Sequence, residues 1–306
     1  MSFPKIAIIV LNWNGWHDTI ECLGSLAKID YPNYQIIVVD NGSTDNSVPR
    51  IKQWASDSLP GMKLIELKEN LGYAKGNNEG IRYAAKDKGI EFILILNNDT
   101  VVKEDFLNKL MEGFDAGDNV ALVGPKILNY EKTDYLRSEV YKRPGFFAML
   151  IFFSPLKNLF SRLPLLYLKQ PKNDDPRKVY AISGSCMLFR KTAMQDIGGF
   201  DEATFLGWEE FIIAEKMKRK GYSTLLAPKS IIYHKWGRST AKIDPADKMI
   251  SFLKSEKYFQ RNYLHLPSFQ YGILNTINLF IFVLYSIVNA DYRKNLIKII
   301  YAMFGQ

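Results

Sequence analysis

Five apolar stretches, each ending in polar residues and separated by helix-length segments, constrain this chain more than any other feature. They are KIAIIVLNW, YQIIVVD, MKLIEL, EFILILNND and VALVGPKIL. Between them lie a helical pattern through Ile20, Leu23 and Leu26, a second over 47–55, a third running from Tyr73 to Lys88, and a fourth opening at Glu104. Strands that are apolar without alternation are buried on both faces, which predicts a parallel sheet with helices packed on each side. Ligands of such sheets bind beyond the carboxyl ends of the strands. Here those ends carry Asn12 and Asn14, the run 40–45, and the run 97–99. After Leu128 the alternation breaks. A strand pair is predicted around KVYAISGSCMLFRK, then a turn at Gly198 and Gly199, a helix from Trp208 to Lys220, short strands at 223–227 and 230–234, and helix from Lys248 to about Phe304.

Composition narrows the class. With 47% apolar and 24% charged residues over 306 positions, the chain is neither disordered, collagenous nor a coiled coil. Cys22 and Cys186 cannot staple a chain of this size, and there is no CxxC pair for zinc, so a reducing compartment is expected. The first apolar run is too short for a signal peptide, which predicts a cytoplasmic start. The net charge of +8 is concentrated between Lys142 and Lys178, where eight basic residues face two acidic ones. They are interleaved with PGFFAMLIFF and LFSRLPLLYL, a pattern that favours an anionic membrane surface over nucleic acid. A solvated loop with an apolar underside is the plainer reading.

Several constellations can carry chemistry. Asp40 closes an apolar strand and opens Asp-Asn-Gly-Ser-Thr-Asp. A carboxylate there can accept a hydrogen bond from a nucleobase imide or a ribose hydroxyl. Shaping the turn and capping the next helix is the plainer role, and it suffices for Asp45. The segment from Asn70 to Gly80 opens a helix; Gly72 and Gly76 permit close backbone approach, and a helix start favours a phosphate. It contains neither GxGxxG nor a Walker A loop, and a structural turn explains it equally well. Asp99 follows ILILNN, where one carboxylate can hold Mg²⁺ or Mn²⁺ against a diphosphate, although a strand-end Asp commonly caps a turn. Glu209 and Glu210 follow Trp208 at a helix start, which the dipole favours anyway. Neighbouring positions do not share a helix face, so only one of the two can point into a cleft. His234 ends the apolar SIIY; a lone His is commonly structural, yet at a strand end it can offer imidazole to a borderline metal.

The ordered motifs VLNWNG, VVDNGSTD, NLGYAKGNN, LILNNDT, SGSCMLFRK, GGFDEATFLGWEE and YHKWGRST together resemble the family-2 inverting glycosyltransferases of GT-A fold. The flavour is that of the rhamnosyltransferase-like branch that builds bacterial cell-surface polysaccharides. The resemblance spans roughly residues 4 to 240. It implies a Rossmann-like nucleotide-binding α/β sheet with helices on both faces, followed by a C-terminal helical tail. It also implies Asp40 as reader of the nucleobase, Asp99 as the last acid of the DxD metal motif, Glu210 as general base beside Glu209, and His234 completing the metal site. Expected donor-binding residues are Asn12, Asn14, Asp40, Gly72, Lys75, Asn77 and Asn98, with Gly184, Ser185 and Trp208 at the acceptor. Three positions depart from the pattern: Asn97 replaces the first acid of DxD, Glu210 is one methylene longer than the usual Asp, and Ile212 stands where many relatives carry another Asp.

The implied reaction is metal-assisted, inverting transfer of a sugar from a UDP- or dTDP-sugar to a hydroxyl of a glycan or polyprenyl-diphosphate-linked glycan. The expected division is 1–240 for the transferase domain (1–127 nucleotide half, 128–178 basic-apolar insert, 179–240 acceptor half) and 241–306 for a membrane-proximal tail. A nucleotidyltransferase would want a Gly/Arg/Lys-rich triphosphate loop near the first strand, which VLNWNG lacks. A non-catalytic nucleotide-sugar-binding or scaffold protein would not need a base. In the tail, no Asp, Glu, Lys or Arg occurs from Asn262 to Ala290, and Arg293, Lys294 and Lys298 follow. Asn275, Thr276 and Asn278 make that stretch marginal for spanning, so a protein lying on the inner face of the cell membrane is expected, with a spanning helix or a homo-oligomer contact as the other readings.

Overall fold

Apolar runs without alternation become parallel strands, with the shorter MKLIEL run at the sheet edge. β1 (Lys5–Asn12), β2 (Tyr34–Asp40), β3 (Lys63–Glu66) and β4 (Ile90–Asn97) pair in parallel in the order β3–β2–β1–β4. The helices α1 (Trp16–Leu26), α2 (Ser47–Ser58) and α3 (Gly72–Ala85) connect them. The computed structural model describes residues 3–130, 140–152, 174–235, 243–288 and 290–304. Both faces of the sheet are buried, as the pattern requires: Ile6, Ile8 and Val10 of β1 pack with Leu23 and Leu26 of α1, while Ala7 and Ile9 pack with Ala74 and Ile81 of α3.

The second half departs from a purely parallel sheet. β5 (Thr100–Val102) and α4 (Phe106–Met111) precede β6 (Val120–Asn129), which is not the neighbour of β4. Then come β7 (Val140–Tyr141), α5 (Phe146–Phe152), β8 (Arg177–Val179), β9 (Ala181–Ile182), β10 (Cys186–Arg190), α6 (Lys191–Asp196), α7 (Glu209–Arg219) and β11 (Ser223–His234). β10 inserts between β4 and β6 and runs antiparallel to both. Apolarity marks a strand as central but carries no information on its direction. The two short strands expected at 223–227 and 230–234 are one strand, β11, whose register shifts between Ala227 and Ile231. Pro228 lies in that interval and lacks the N–H a regular ladder would use.

The tail is helical, as expected, and starts three residues early. Asp244 caps α8 (Pro245–Asn262) by accepting from Ala246 N at 2.8 Å, with Pro245 in the first turn. α9 (Ser268–Val288) and α10 (Ala290–Phe304) complete it. No helix among the described residues is long and apolar enough to cross a membrane. Lys157, Arg162, Lys169 and Lys172 of the basic-apolar insert, and Trp236 to Thr240 of the YHKWGRST motif, lie outside the described residues.

Candidate active site

A buried hydrogen-bond ladder ties together the carboxyl ends of three parallel strands. Asn98 Nδ2 donates to Thr19 Oγ1 (2.9 Å), Thr19 Oγ1 to Asn12 Oδ1 (2.7 Å), and Asn12 Nδ2 to Asp40 Oδ1 (2.7 Å). Ser43 closes the ladder, its hydroxyl donating to Asp40 Oδ1 and its N–H to Asp40 Oδ2. Asn14, at φ +50°, accepts from Thr44 N and Asp45 N on its Oδ1 and so locks the 43–45 turn onto the first strand end.

At the next strand end, antiparallel pairing of β11 with β5 sets His234 opposite Thr100. That register brings His234 Nε2 to 3.0 Å from Asp99 Oδ1, and Lys235 N–H donates to the Asp99 carbonyl at 2.9 Å. Asp99 and His234 are 3% and 7% exposed. The Lys235 ammonium lies between Asp18 and Glu21 of α1, bonded to both, and thereby anchors the segment after His234. A carboxylate oxygen and an imidazole nitrogen this close are a donor pair that fits Mn²⁺ better than Mg²⁺, which takes oxygen ligands. Among the described residues no third His, Cys, Asp or Glu joins them.

The carboxylates of α7 differ as neighbours on a helix must. Glu209 is buried, its Oε1 has no hydrogen-bond partner among the described residues, and its pKa is pushed up to about 8 by burial and by Glu210 beside it. Glu210 is half-buried and accepts the Gly184 N–H on Oε1 at 3.1 Å; burial raises its pKa too. The Gly184 carbonyl accepts from Tyr73 OH at 2.6 Å. One residue on, the Ser185 carbonyl accepts from Asn97 N–H at 2.9 Å. Two consecutive residues, Gly184 and Ser185, thus link the strand end that leads to Asp99 with the carboxylate of Glu210. A Cβ on Gly184 would lie 2.9 Å from Glu210 Oε1, which is why glycine occupies the position.

Several residues expected to touch a ligand instead build its frame. Asn12, Asp40, Asn77 and Asn98 are each 3% exposed or less and offer no surface to a donor in this conformation. Asp40, expected to read a base, has both oxygens engaged by Asn12 and Ser43. Gly72, at φ +81°, is needed because Phe205 O would lie 2.5 Å from a Cβ there, not because the backbone is open to phosphate. Ser185 is 2% exposed. Trp208, expected at the acceptor, is 4% exposed and stacks on Phe259 at 5.2 Å, where its left-handed φ of +71° starts α7. Asn14 and Lys75 keep access to solvent, Lys75 on the first turn of α3. Thr19, Ser43, Tyr73 and Lys235 went unnoticed in the sequence, although Ser43, Tyr73 and Lys235 lie inside the quoted motifs. Their side chains act on residues distant in the chain, a relation no local pattern carries.

The family model described as Glycosyl transferase family 2 matches residues 7–198, so Glu209, Glu210 and His234 lie beyond the matched span. Among curated relatives, an N-acetylglucosaminyl-diphospho-decaprenol L-rhamnosyltransferase of Mycobacterium tuberculosis is 25% identical over 247 residues, covering 78% of this chain and 78% of that protein. A low-salt glycan biosynthesis hexosyltransferase of Haloferax volcanii is 25% identical over 215 residues, covering 70% of this chain and 62% of that protein. Among solved structures, a mannosyltransferase of Pyrobaculum calidifontis in complex with GDP-Man and Mn²⁺ superposes with a TM-score of 0.59 at 17% identity, covering 100% of this chain and 77% of that one. S. aureus TarS 1-349 in complex with UDP-GlcNAc gives 0.56 at 17% identity, covering 98% and 81%. These structures share the fold.

Proposed function

The chain belongs to glycosyl transferase family 2 and is a glycosyltransferase of GT-A fold; from that premise we propose that it transfers a sugar from a UDP- or dTDP-sugar to a glycan or polyprenyl-diphosphate-linked hydroxyl, with inversion, Glu210 being the base. The single observation that carries this reading is the two-residue link just described, which sets the Glu210 carboxylate beside the strand end leading to Asp99.

The donor lies over the 12–15 and 42–45 turns, which Asp40 and Asn14 hold in shape, with the exposed Lys75 in the first turn of α3 available to its phosphates. Asp99 and His234 would hold a divalent ion. Such an ion supplies positive charge against the leaving diphosphate. Solved neighbours carry Mn²⁺ with a nucleotide sugar or with UDP and a free sugar, which supports the donor pair in this role. The nucleotide half is 1–127 and the acceptor half 179–240.

An acceptor hydroxyl has a pKa far above neutrality and must lose its proton as it attacks. Glu209, buried and without a partner on Oε1, keeps its proton to about pH 8. Of the pair, Glu210 is the one whose anion the Gly184 N–H stabilises, and it takes the acceptor proton. With one base and no enzyme nucleophile, the displacement is single and the anomeric centre inverts.

The acceptor side is membrane-bound in this reading. α9 turns Asn275, Asn278 and Ser286 inward (6–8% exposed), while α9 and α10, which also bury Leu274, Ile281, Phe282 and Ile299, leave Phe280, Ile287, Ile297 and Tyr301 63–83% exposed. Arg293, Lys294 and Lys298 stand exposed beside that face. Apolar side chains flanked by cations suit the surface of an anionic leaflet, where a polyprenyl-linked acceptor is presented. The M. tuberculosis relative, named for a decaprenol-diphosphate-linked acceptor, supports the acceptor class.

A nucleotide-release assay with UDP-, dTDP- and GDP-sugars and Mn²⁺ tests the reaction, and a thermal-shift panel of the three nucleotides tests the donor class. Stabilisation by UDP or dTDP and not by GDP is expected, since a ligand raises the melting temperature only by binding the native fold. No shift with any nucleotide contradicts the reading.

A further inference from the structure

Glu210 is aimed by a glycine, the residue type that least holds a conformation. Gly184 N–H donates to Glu210 Oε1, yet nothing in Gly184 itself fixes the direction of that N–H. The restraint comes from outside. Tyr73 OH donates to the Gly184 carbonyl at 2.6 Å, and Asn97 N–H donates to the next carbonyl, of Ser185, at 2.9 Å. Tyr73 also reaches the other side of the base: its own N–H donates to Phe205 O at 2.9 Å, in the turn that leads through Trp208 to Glu209 and Glu210. Its ring meets Phe200 edge-on at 5.7 Å, so the side chain is held between the two loops. The hydroxyl is buried beside Glu210 and Glu209, which raises its pKa well above the ordinary tyrosine value and keeps it a donor throughout the working pH range. Tyr73 sits in the first turn of α3, the helix assigned above to the donor phosphates.

Resting on that assignment of Glu210 as base, we infer that Tyr73 is its positioning residue, one residue on the donor-side helix whose hydroxyl fixes the peptide that follows the one holding the carboxylate and whose backbone N–H fixes the turn carrying it. Removing the hydroxyl frees the Gly184 carbonyl, lets the flanking N–H swing away from Glu210, and leaves the carboxylate misaimed and less stabilised as an anion. The titratable groups facing Glu210 are Tyr73 from α3 and Glu209 from α7, with Cys186 of β10 beside Tyr73. Neither Glu209 nor Cys186 is altered by the change.

The test is Tyr73→Phe, which keeps the ring and its contact with Phe200, in the full chain with nucleotide-sugar donor, acceptor and Mn²⁺. Expected are a fall in kcat of about 10-fold or more, a donor KM within about twofold of wild type, and an acid limb of the pH–rate profile moved to higher pH because the Glu210 anion has lost a donor. Tyr73→Phe combined with Glu210→Gln should lose no more than Glu210→Gln alone, since the hydroxyl acts through that carboxylate. A raised donor KM with kcat unchanged would make Tyr73 a donor contact and overturn the inference, as would an unmoved pH profile. If Glu210→Gln alone retains transfer, the base assignment fails and the inference with it; if Glu210→Gln abolishes transfer while Tyr73→Phe does not lower kcat, the inference alone fails.

Discussion

His234 Nε2 lies 3.0 Å from Asp99 Oδ1 although 135 residues separate the two. Neither side chain is steered there by its own neighbours in sequence. The contact follows from the last long strand, β11, laying its final residue antiparallel against Thr100, the residue after Asp99. The site is therefore completed only when β11 has paired on both edges, with β6 and with β5.

Asp99→Ala is expected to remove Mn²⁺-dependent stabilisation by nucleoside diphosphate and to abolish turnover, because it takes away the one carboxylate of the pair. Isothermal titration with UDP or dTDP, with and without Mn²⁺, together with the transfer assay, measures both effects. Wild-type turnover with undiminished Mn²⁺ dependence would show that Asp99 is not a metal ligand.

Gly184→Ala separates function from stability. The added Cβ meets Glu210 Oε1 at 2.9 Å, the end of a flexible side chain, and Tyr73 OH at 3.3 Å, which has to give by only a few tenths of an ångström. The fold should lose no more than about 1 kcal/mol, whereas transfer should fall by on the order of 10-fold or more as the base is pushed from its place. Denaturant melts beside initial rates decide the matter. Equal losses in both, or activity at the wild-type level, run against the geometry.

Much of this arrangement was legible in the sequence. The five apolar runs marked strands of the sheet, four of them central and MKLIEL at its edge, because double burial leaves a pattern a reader can see. Helix geometry allowed only one of Glu209 and Glu210 to face a cleft and left open which; the choice of Glu210 came with the family resemblance, and the structure buries Glu209. What could not be read was direction and depth. SGSCMLFRK is as apolar running antiparallel as parallel, so the insertion of β10 between β4 and β6 left no trace. Asn12, Asp40 and Asn98 at strand ends, and Asn77 on α3, carry polar side chains, yet their groups turn to one another, to Thr19, Ser43 and the Tyr73 carbonyl. Trp208, expected at the acceptor, is a core wedge among Phe211, Phe252 and Phe259. Long-range partners decide such matters, and they are not local.

Stability should fall as pH rises from about 4.5 towards 8. Glu256 on α8, accepting from Gln260 Nε2 at 2.8 Å and otherwise buried, has its pKa pushed up to about 8, and Glu209 behaves alike. A carboxyl whose native pKa lies above its unfolded value holds an extra proton in the native state across that window, so its contribution is complete below the unfolded pKa and is lost as pH climbs through the native one. The limiting slope is about 1.4 kcal/mol per pH unit for each group. Glu256→Gln should therefore narrow the gap between melting temperatures at pH 6 and pH 8. An unchanged gap would mean that Glu256 is ionised in the native state.

The exposed face of α9 and α10 should bind anionic liposomes at low salt and release them at high salt, as screening weakens the contribution of Arg293, Lys294 and Lys298. Sedimentation with phosphatidylglycerol vesicles at two salt concentrations checks this. A protein that stays in the supernatant at low salt, with a mass that grows with concentration, would make the same face a contact between copies of the chain.

Glu210→Gln tests the account most directly. The substitution keeps the size and an oxygen for the Gly184 N–H but removes the proton acceptor, so donor affinity measured by titration should remain near wild type while transfer falls by on the order of 10²–10⁴. Glu209→Gln, changed in parallel, should cost far less. Transfer retained in Glu210→Gln, or a larger loss in Glu209→Gln, would contradict the assignment of the base and with it the proposed single displacement.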